Sequence, residues 1–247
     1  AEKRQNNDEL IYHMSKSGKC EEAVDYLIIS SDEMIKKNLY KQAIQFLNQS
    51  YDFFDEDDKC LKRTRICLKL GDLYYQMGEY DKCQRYYKIA EKNALSFEDK
   101  ILIIDIYIKM VKLYYKMNDV KTCLKYSNMA KKEMKSMDYR KGMLDLILAL
   151  SDLMIYRRKH NSYMKIIEKA LKSLGNEDKY YYGMLMSVYG RILAKKCRYE
   201  EALNVLSESI ETLEELEEHE GLVSAVNSMG TIYSDYYNDI EKAKEYF

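Results

Sequence analysis

Apolar and small residues return every three or four positions through most of the chain, in runs separated by short polar breaks. The stretch from Leu70 to Ala90, LGDLYYQMGEYDKCQRYYKIA, shows the pattern most fully. Leu70, Gly71 and Tyr74 share one face of a first helix. Gly78 interrupts the periodicity and suits a turn that needs a positive φ. Tyr80, Cys83, Tyr87 and Ala90 then mark one face of a second helix. Gly71, Cys83 and Ala90 are small where two helices approach closely, and Leu70, Tyr74 and Tyr87 are large where the gap between them is filled. One such pair cannot bury its own apolar faces, so the pattern predicts neighbours stacked on either side.

The neighbours are legible. A lead-in over residues 1–58 predicts helices at 6–17, 21–37 and 40–54, with turns at Gly18-Lys19 and Asn38; the middle helix closes one pair and opens the next. Repeats follow at about 59–95, 99–135, 139–174, 178–216 and 219–247, the last truncated, in what reads as one continuous array. Their turns fall at Gly78, Asn118-Asp119, Arg158 to His160, Cys197 and near Asn238-Asp239, with one extra residue in the last. The small position that opens the second helix recurs at 23, 43, 83, 123, 163, 202 and 243, a period of about 40 after the first step. The third repeat is the most eroded, with Tyr163 in that position. Acidic residues 55–58 are expected to favour the helix start that follows, and Ser96 with Asp99 reads as a capping signal for the next.

Composition narrows the function. With no proline and 9 glycines in 247 residues, long helices are favoured over a turn-rich β fold. The charges, 40 basic against 41 acidic, carry no basic surplus of the kind a nucleic-acid binder shows, so no nucleic-acid partner is expected. No apolar run reaches the roughly 18 residues of a membrane span, and no secretory signal opens the chain. The six cysteines lack any C-x-x-C pair, and Cys83 and Cys123 occupy the small helix-contact position, so they read as buried hydrophobes in a reducing, cytoplasmic setting. His13, His160 and His219 are far apart, and no G-x-S-x-G, H-E-x-x-H or phosphate-loop motif occurs, so no catalysis, cofactor or metal is expected. The first residue is Ala, and the last residues stop within an expected helix; both suggest a piece of a longer polypeptide.

The slots Cys67, Leu70-Gly71, Tyr74, Gly78, Tyr80, Cys83, Tyr87 and Ala90 resemble the tetratricopeptide repeat, with Cys for Ala in one slot and no helix-ending Pro. The resemblance implies an all-α fold, a right-handed superhelical solenoid of antiparallel helix pairs, used as a binding scaffold. A second resemblance lies in Tyr12-His13, Gly18, Glu22-Ala23, Tyr26-Leu27, Tyr40, Ala43-Ile44 and Leu47, which look like the start of the repeat region in STAND-type bacterial signalling ATPases. It implies a regulatory scaffold from a larger signalling or transcription-regulating protein, whose partner is a protein, a peptide or a domain of the same polypeptide. Peptide-sensing quorum receptors are the alternative that the tetratricopeptide resemblance leaves open.

In tetratricopeptide arrays the first helix of each pair lines an inner groove. The resemblance places there Leu68, Ile108, Leu148, Ser187 and Asn227; then Asp72, Lys112, Asp152, Arg191 and Thr231; then Tyr75, Tyr115, Ile155, Ala194 and Ser234. The earlier half of this set is apolar and aromatic and the later half polar, so Leu68, Ile108 and Leu148 either pack within the array or form an apolar track for a peptide or helix. The alternation Asp72, Lys112, Asp152 does not supply the Lys/Asn clamp with which chaperone-tail binders hold a carboxylate. Asn227 matches the Asn with which peptide-pheromone receptors hold a peptide backbone.

Overall fold

The polar breaks fall where helices end. In a computed structural model, the structure describes residues 20–55, 58–174 and 178–246, and these form twelve α-helices and no strand. They are α1 (Cys20–Lys36), α2 (Tyr40–Tyr51), α3 (Leu61–Gln76), α4 (Tyr80–Phe97), α5 (Lys100–Lys116), α6 (Val120–Met134), α7 (Arg140–Tyr156), α8 (His160–Leu174), α9 (Lys179–Lys195), α10 (Tyr199–Glu215), α11 (His219–Asp235) and α12 (Ile240–Lys244). The expected helix at 6–17, its turn at Gly18-Lys19 and His13 lie outside the described residues, as do 56, 57 and 175–177. The chain divides into two compact units, residues 1–133 and 134–247.

Each pair turns by the same backbone device. A left-handed residue recurs at Asn38, Gly78, Asn118, Arg158, Cys197 and Asn238, and Gly is used once in the six. In the pair α3/α4 the Gly78 N–H bonds to the Tyr75 carbonyl at 3.1 Å and the Glu79 N–H to the Tyr74 carbonyl at 2.9 Å. These bonds satisfy carbonyls that the helix end would otherwise leave open. Asn118 and Asp119 repeat them at 3.0 and 2.9 Å, Arg158 and Lys159 at 3.0 and 2.9 Å. The extra residue of the last turn lets the Asp239 N–H reach back to the Tyr233 carbonyl.

Helix starts differ from expectation in two places. Ser96 remains inside α4, its Oγ bonded to the Asn93 carbonyl, and Asp99 alone caps α5 by accepting the Leu102 N–H at 3.0 Å. Ahead of α3 the cap is Cys60, whose sulfur accepts the Arg63 N–H at 3.3 Å. The Asp58 carboxylate instead accepts the Asp55 N–H, while the Asp58 carbonyl takes the Arg63 guanidinium. The helix expected over 40–54 stops at Tyr51.

In the first unit Leu27, Leu47, Ile66, Leu70, Ile104 and Leu113 are fully buried between the pairs. Ala23, Ala43, Cys83 and Cys123 sit at the small contact positions with no exposure, as their spacing predicts. At Gly71 the close approach is explicit: an added Cβ would lie 2.3 Å from the Tyr87 ring. The second unit is closed by Leu153, Ile167, Leu185, Ile192, Leu206 and Leu213. Its first pair departs from the rule. Tyr163, not a small residue, occupies the contact position of α8, is buried, and sends its hydroxyl to the Ile147 carbonyl of α7. A ring thus stands where the other pairs have Ala or Cys.

Candidate functional site

The first helices of successive pairs are tied to one another by charges set nearly one repeat apart. In the first unit Lys62 of α3 pairs with Asp25 of α1 at 2.8 Å, and Lys69 of α3 pairs with Asp32 of α1. Lys109 of α5 bonds both carboxylate oxygens of Asp72 at 2.7 and 2.9 Å. Asp72 also accepts the Tyr87 hydroxyl at 2.6 Å, which locks the ring over Gly71. Burial, reinforced by the Asp72 charge, pushes the Tyr87 phenol well above its ordinary range. In the second unit Arg191 of α9 bonds Asp152 of α7 at 2.7 Å and Ser151 Oγ at 3.3 Å, and the Tyr181 hydroxyl donates to Asp145 at 2.8 Å. These ion pairs are partly exposed and are worth about 0–1 kcal/mol each, so their effect is on register more than stability.

Of the expected groove positions, the first unit carries Leu68, Asp72 and Tyr75 on α3 and Ile108, Lys112 and Tyr115 on α5. Ile108 is buried, while Leu68, Tyr75 and Tyr115 are half-buried. Tyr75 packs on Tyr80 with ring centroids 5.9 Å apart. Asp72 is engaged by Lys109; Lys112 is half-buried and holds no carboxylate among the described residues. The second unit groups Leu148, Asp152 and Ile155 on α7 with Ser187, Arg191 and Ala194 on α9. Ser187 is buried, and Asp152 and Arg191 are spent on each other. Asn227 and Thr231 on α11 are exposed, with the Thr231 hydroxyl turned back to the Asn227 carbonyl; Ser234 bonds to Thr231 and Asp235.

Sequence reading missed the partners Asp32, Lys69 and Lys109, although opposite charges 37 positions apart were there to be found, and it missed Asp145, the acceptor of the Tyr181 hydroxyl. It also missed a pocket. Between α7 and α8, and closed by residues 134–140, lies a cavity of about 430 Å³. Met134, Met137, Met143, Leu144, Ile147 and Ile166 give it an apolar lining, with Arg140, Lys169, Asp138 and Ser173 at the rim. Among the described residues no group of three metal-binding side chains occurs, and no helix is long and apolar enough to cross a membrane. His160 opens α8, its ring 3.3 Å from the Ile155 carbonyl.

No family model matches the chain, and no curated protein matches it. Solved structures do. A Rap conjugation gene regulator of plasmid pLS20, in complex with the Phr* peptide, aligns over 90% of this chain and 61% of its own with TM-score 0.75 and 15% identity. A STAND protein with a tetratricopeptide repeat sensor from Pyrococcus horikoshii aligns over 92% of this chain and 35% of its own, TM-score 0.66, 15% identity. The apo quorum sensor NprR from B. thuringiensis aligns over 98% and 72%, TM-score 0.63, 13% identity. This chain thus spans less than two thirds of the first two proteins. The fold is that of the tetratricopeptide solenoids.

Proposed function

We propose that this chain is a non-catalytic interaction scaffold that regulates a larger cytoplasmic bacterial signalling or transcription-regulating protein by holding a protein or peptide segment against its first helices. The observation that supports this reading is the character of those helices. Half-buried Leu68, Tyr75 and Tyr115 on α3 and α5, and Leu148 and Ile155 on α7, offer apolar and aromatic surface beside the cross-helix pairs Asp72–Lys109 and Asp152–Arg191. Paired charges fix the spacing of the lining without themselves binding, and a half-buried apolar strip is what an amphipathic helix or extended peptide covers. Lys112, which holds no carboxylate among the described residues, is then a charge able to meet an acidic group on the segment.

The alternative reading is a sensor for a short peptide. The regulator that matches over 90% of this chain is in complex with one, and Asn227 is exposed with an amide able to pair with a peptide backbone. Display of random peptides of 5–20 residues on the purified chain separates the two. Short peptides whose affinity falls at least tenfold, about 1.4 kcal/mol, with Asn227→Ala favour the sensor. Longer segments that lose as much with Lys112→Glu or Tyr115→Ala, and are indifferent to Asn227→Ala, favour the scaffold. Enriched peptides that bind all these variants like the parent chain reject the inner face altogether.

A further inference from the structure

One repeat before the pocket, the same positions are filled by tyrosine. Ile147 and Ile166 lie 40 residues after Tyr107 and Tyr126, which are buried with ring centroids 5.6 Å apart. At the later site both rings are replaced by aliphatic side chains, and a cavity of about 430 Å³ lies where the earlier repeat holds two rings. Ile166 and Met143 are 46% and 57% exposed, so the lining meets solvent. Three methionines in the lining give it adaptable, polarisable walls that favour aromatic contact. The rim carries Arg140 and Lys169 against one acid, Asp138. Arg140 is held by the Ser173 carbonyl, which leaves further guanidinium donors, and Lys169 is exposed and holds no carboxylate among the described residues. At the start of α7 stands Tyr139, which makes no capping bond, where the corresponding helices α5 and α9 have Asp99 and Asp178. The third repeat has thus lost both the ring and the acid that its neighbours supply from within.

We propose that this pocket is a second binding site, taking from a partner peptide an aromatic side chain flanked by an acidic residue: the ring fills the space left beside Ile147 and Ile166, and the carboxylate meets Arg140 and Lys169. None of the expected groove positions lines it, and the proposal does not rest on the reading of the inner face. The volume falls within the range of about 300–1,000 Å³ common to ligand pockets, enough for a ring and its adjoining backbone.

The test uses methyl-labelled methionine in the full chain, with the acetylated, amidated tripeptide Asp-Tyr-Asp as probe. The Met137 and Met143 methyl resonances are expected to move saturably, and binding to Asp-Ala-Asp and to Lys-Tyr-Lys to be at least about tenfold weaker. The double variant Ile147→Tyr/Ile166→Tyr, which refills the pocket as Tyr107 and Tyr126 fill theirs, is expected to abolish the shifts. Lys169→Glu changes only an exposed side chain and is expected to bring Asp-Tyr-Asp down to the level of Lys-Tyr-Lys. Equal binding of Asp-Ala-Asp, no saturable shift with Asp-Tyr-Asp, or shifts untouched by both variants would each overturn the proposal. Methyl resonances that move when the protein alone is diluted would assign the pocket to a second copy of the chain and overturn it too.

Discussion

The second and third repeats have the same length and turn geometry, and they close in opposite ways. In the second, Tyr126 stacks on Tyr114 with centroids 5.5 Å apart, tilts against Tyr107, donates its hydroxyl to Glu91 at 3.1 Å and accepts from the Lys88 ammonium. The pairing 40 residues earlier, Tyr74 on Tyr86 at 5.6 Å, has the same form. In the third, Met154 and Ile166 stand in those places, and a tyrosine appears instead at position 163, where a small residue belongs. The repeat loses three rings, at 107, 114 and 126 of its predecessor, and gains one at the helix contact. A solenoid tolerates such a repeat because each pair leans only on its neighbours, so a local loss of packing becomes a local cavity and not a failure of the fold.

The sharpest difference between the two units is in their thiols. Cys67, Cys83 and Cys123 are buried in the first, and burial pushes the thiols up to about 12, 12 and 11. The second has Cys197, exposed at a turn. A thiol whose folded pKa is raised holds its proton in the native state while the unfolded chain releases it from about pH 8.5 upward. Stability is therefore full below about pH 8.5 and is lost as pH rises toward 11–12, by up to about 2 kcal/mol per thiol at pH 10. Pulse proteolysis in urea at pH 8, 9 and 10, with fragments assigned to each unit, should show the first unit giving way at falling urea concentrations while the second changes little. Parallel loss in both units would contradict this account.

The next largest effect gives the second repeat the aliphatic side chain of the third. Tyr126→Ile removes a buried ring, its stack on Tyr114 and its hydroxyl's bonds to Glu91, for about 2–3 kcal/mol. The same variant should open a second place for the aromatic probe. A change in urea midpoint equivalent to under about 0.5 kcal/mol would mean that the Tyr114–Tyr126 stack contributes little and that the third repeat's pocket has another origin.

Much of this was written in the residue pattern. The forty-residue return of small positions placed the helix contacts because a missing side chain is the condition for close approach, and Ala23, Cys83 and Ala202 are all at zero exposure. The turns were legible even without glycine, since Asn38, Asn118 and Asn238 share a side chain that tolerates the left-handed region. What periodicity does not report is which polar side chain faces which. Asp72 and Arg191 read as groove residues, and each is bound across to a neighbouring first helix, Asp72 to Lys109 of α5 and Arg191 to Asp152 of α7. The pocket was hidden for a related reason. Isoleucine for tyrosine leaves the apolar pattern intact, and only the volume that must be filled distinguishes them.

The smallest effect compares the turns. Gly78 and Arg158 occupy the same left-handed position in the first and third of these repeats, at φ 74° and 53°. Nothing lies within 4 Å of where a Gly78 Cβ would stand, so substitution there is opposed by backbone conformation alone. Gly78→Ala should cost about 1 kcal/mol. Arg158→Gly relieves the same strain in the other repeat, less the greater freedom glycine gives the unfolded chain, and should gain about 0.5 kcal/mol. Since Arg158 is exposed and the turn bonds run through backbone N–H groups at 158 and 159, the exchange removes no hydrogen bond. Urea midpoints shifted in opposite directions by the two variants are the expected result. A loss of stability with Arg158→Gly would mean that this turn is held by its arginine side chain, and that the third repeat departs from its neighbours at the turn as well as at the helix contact.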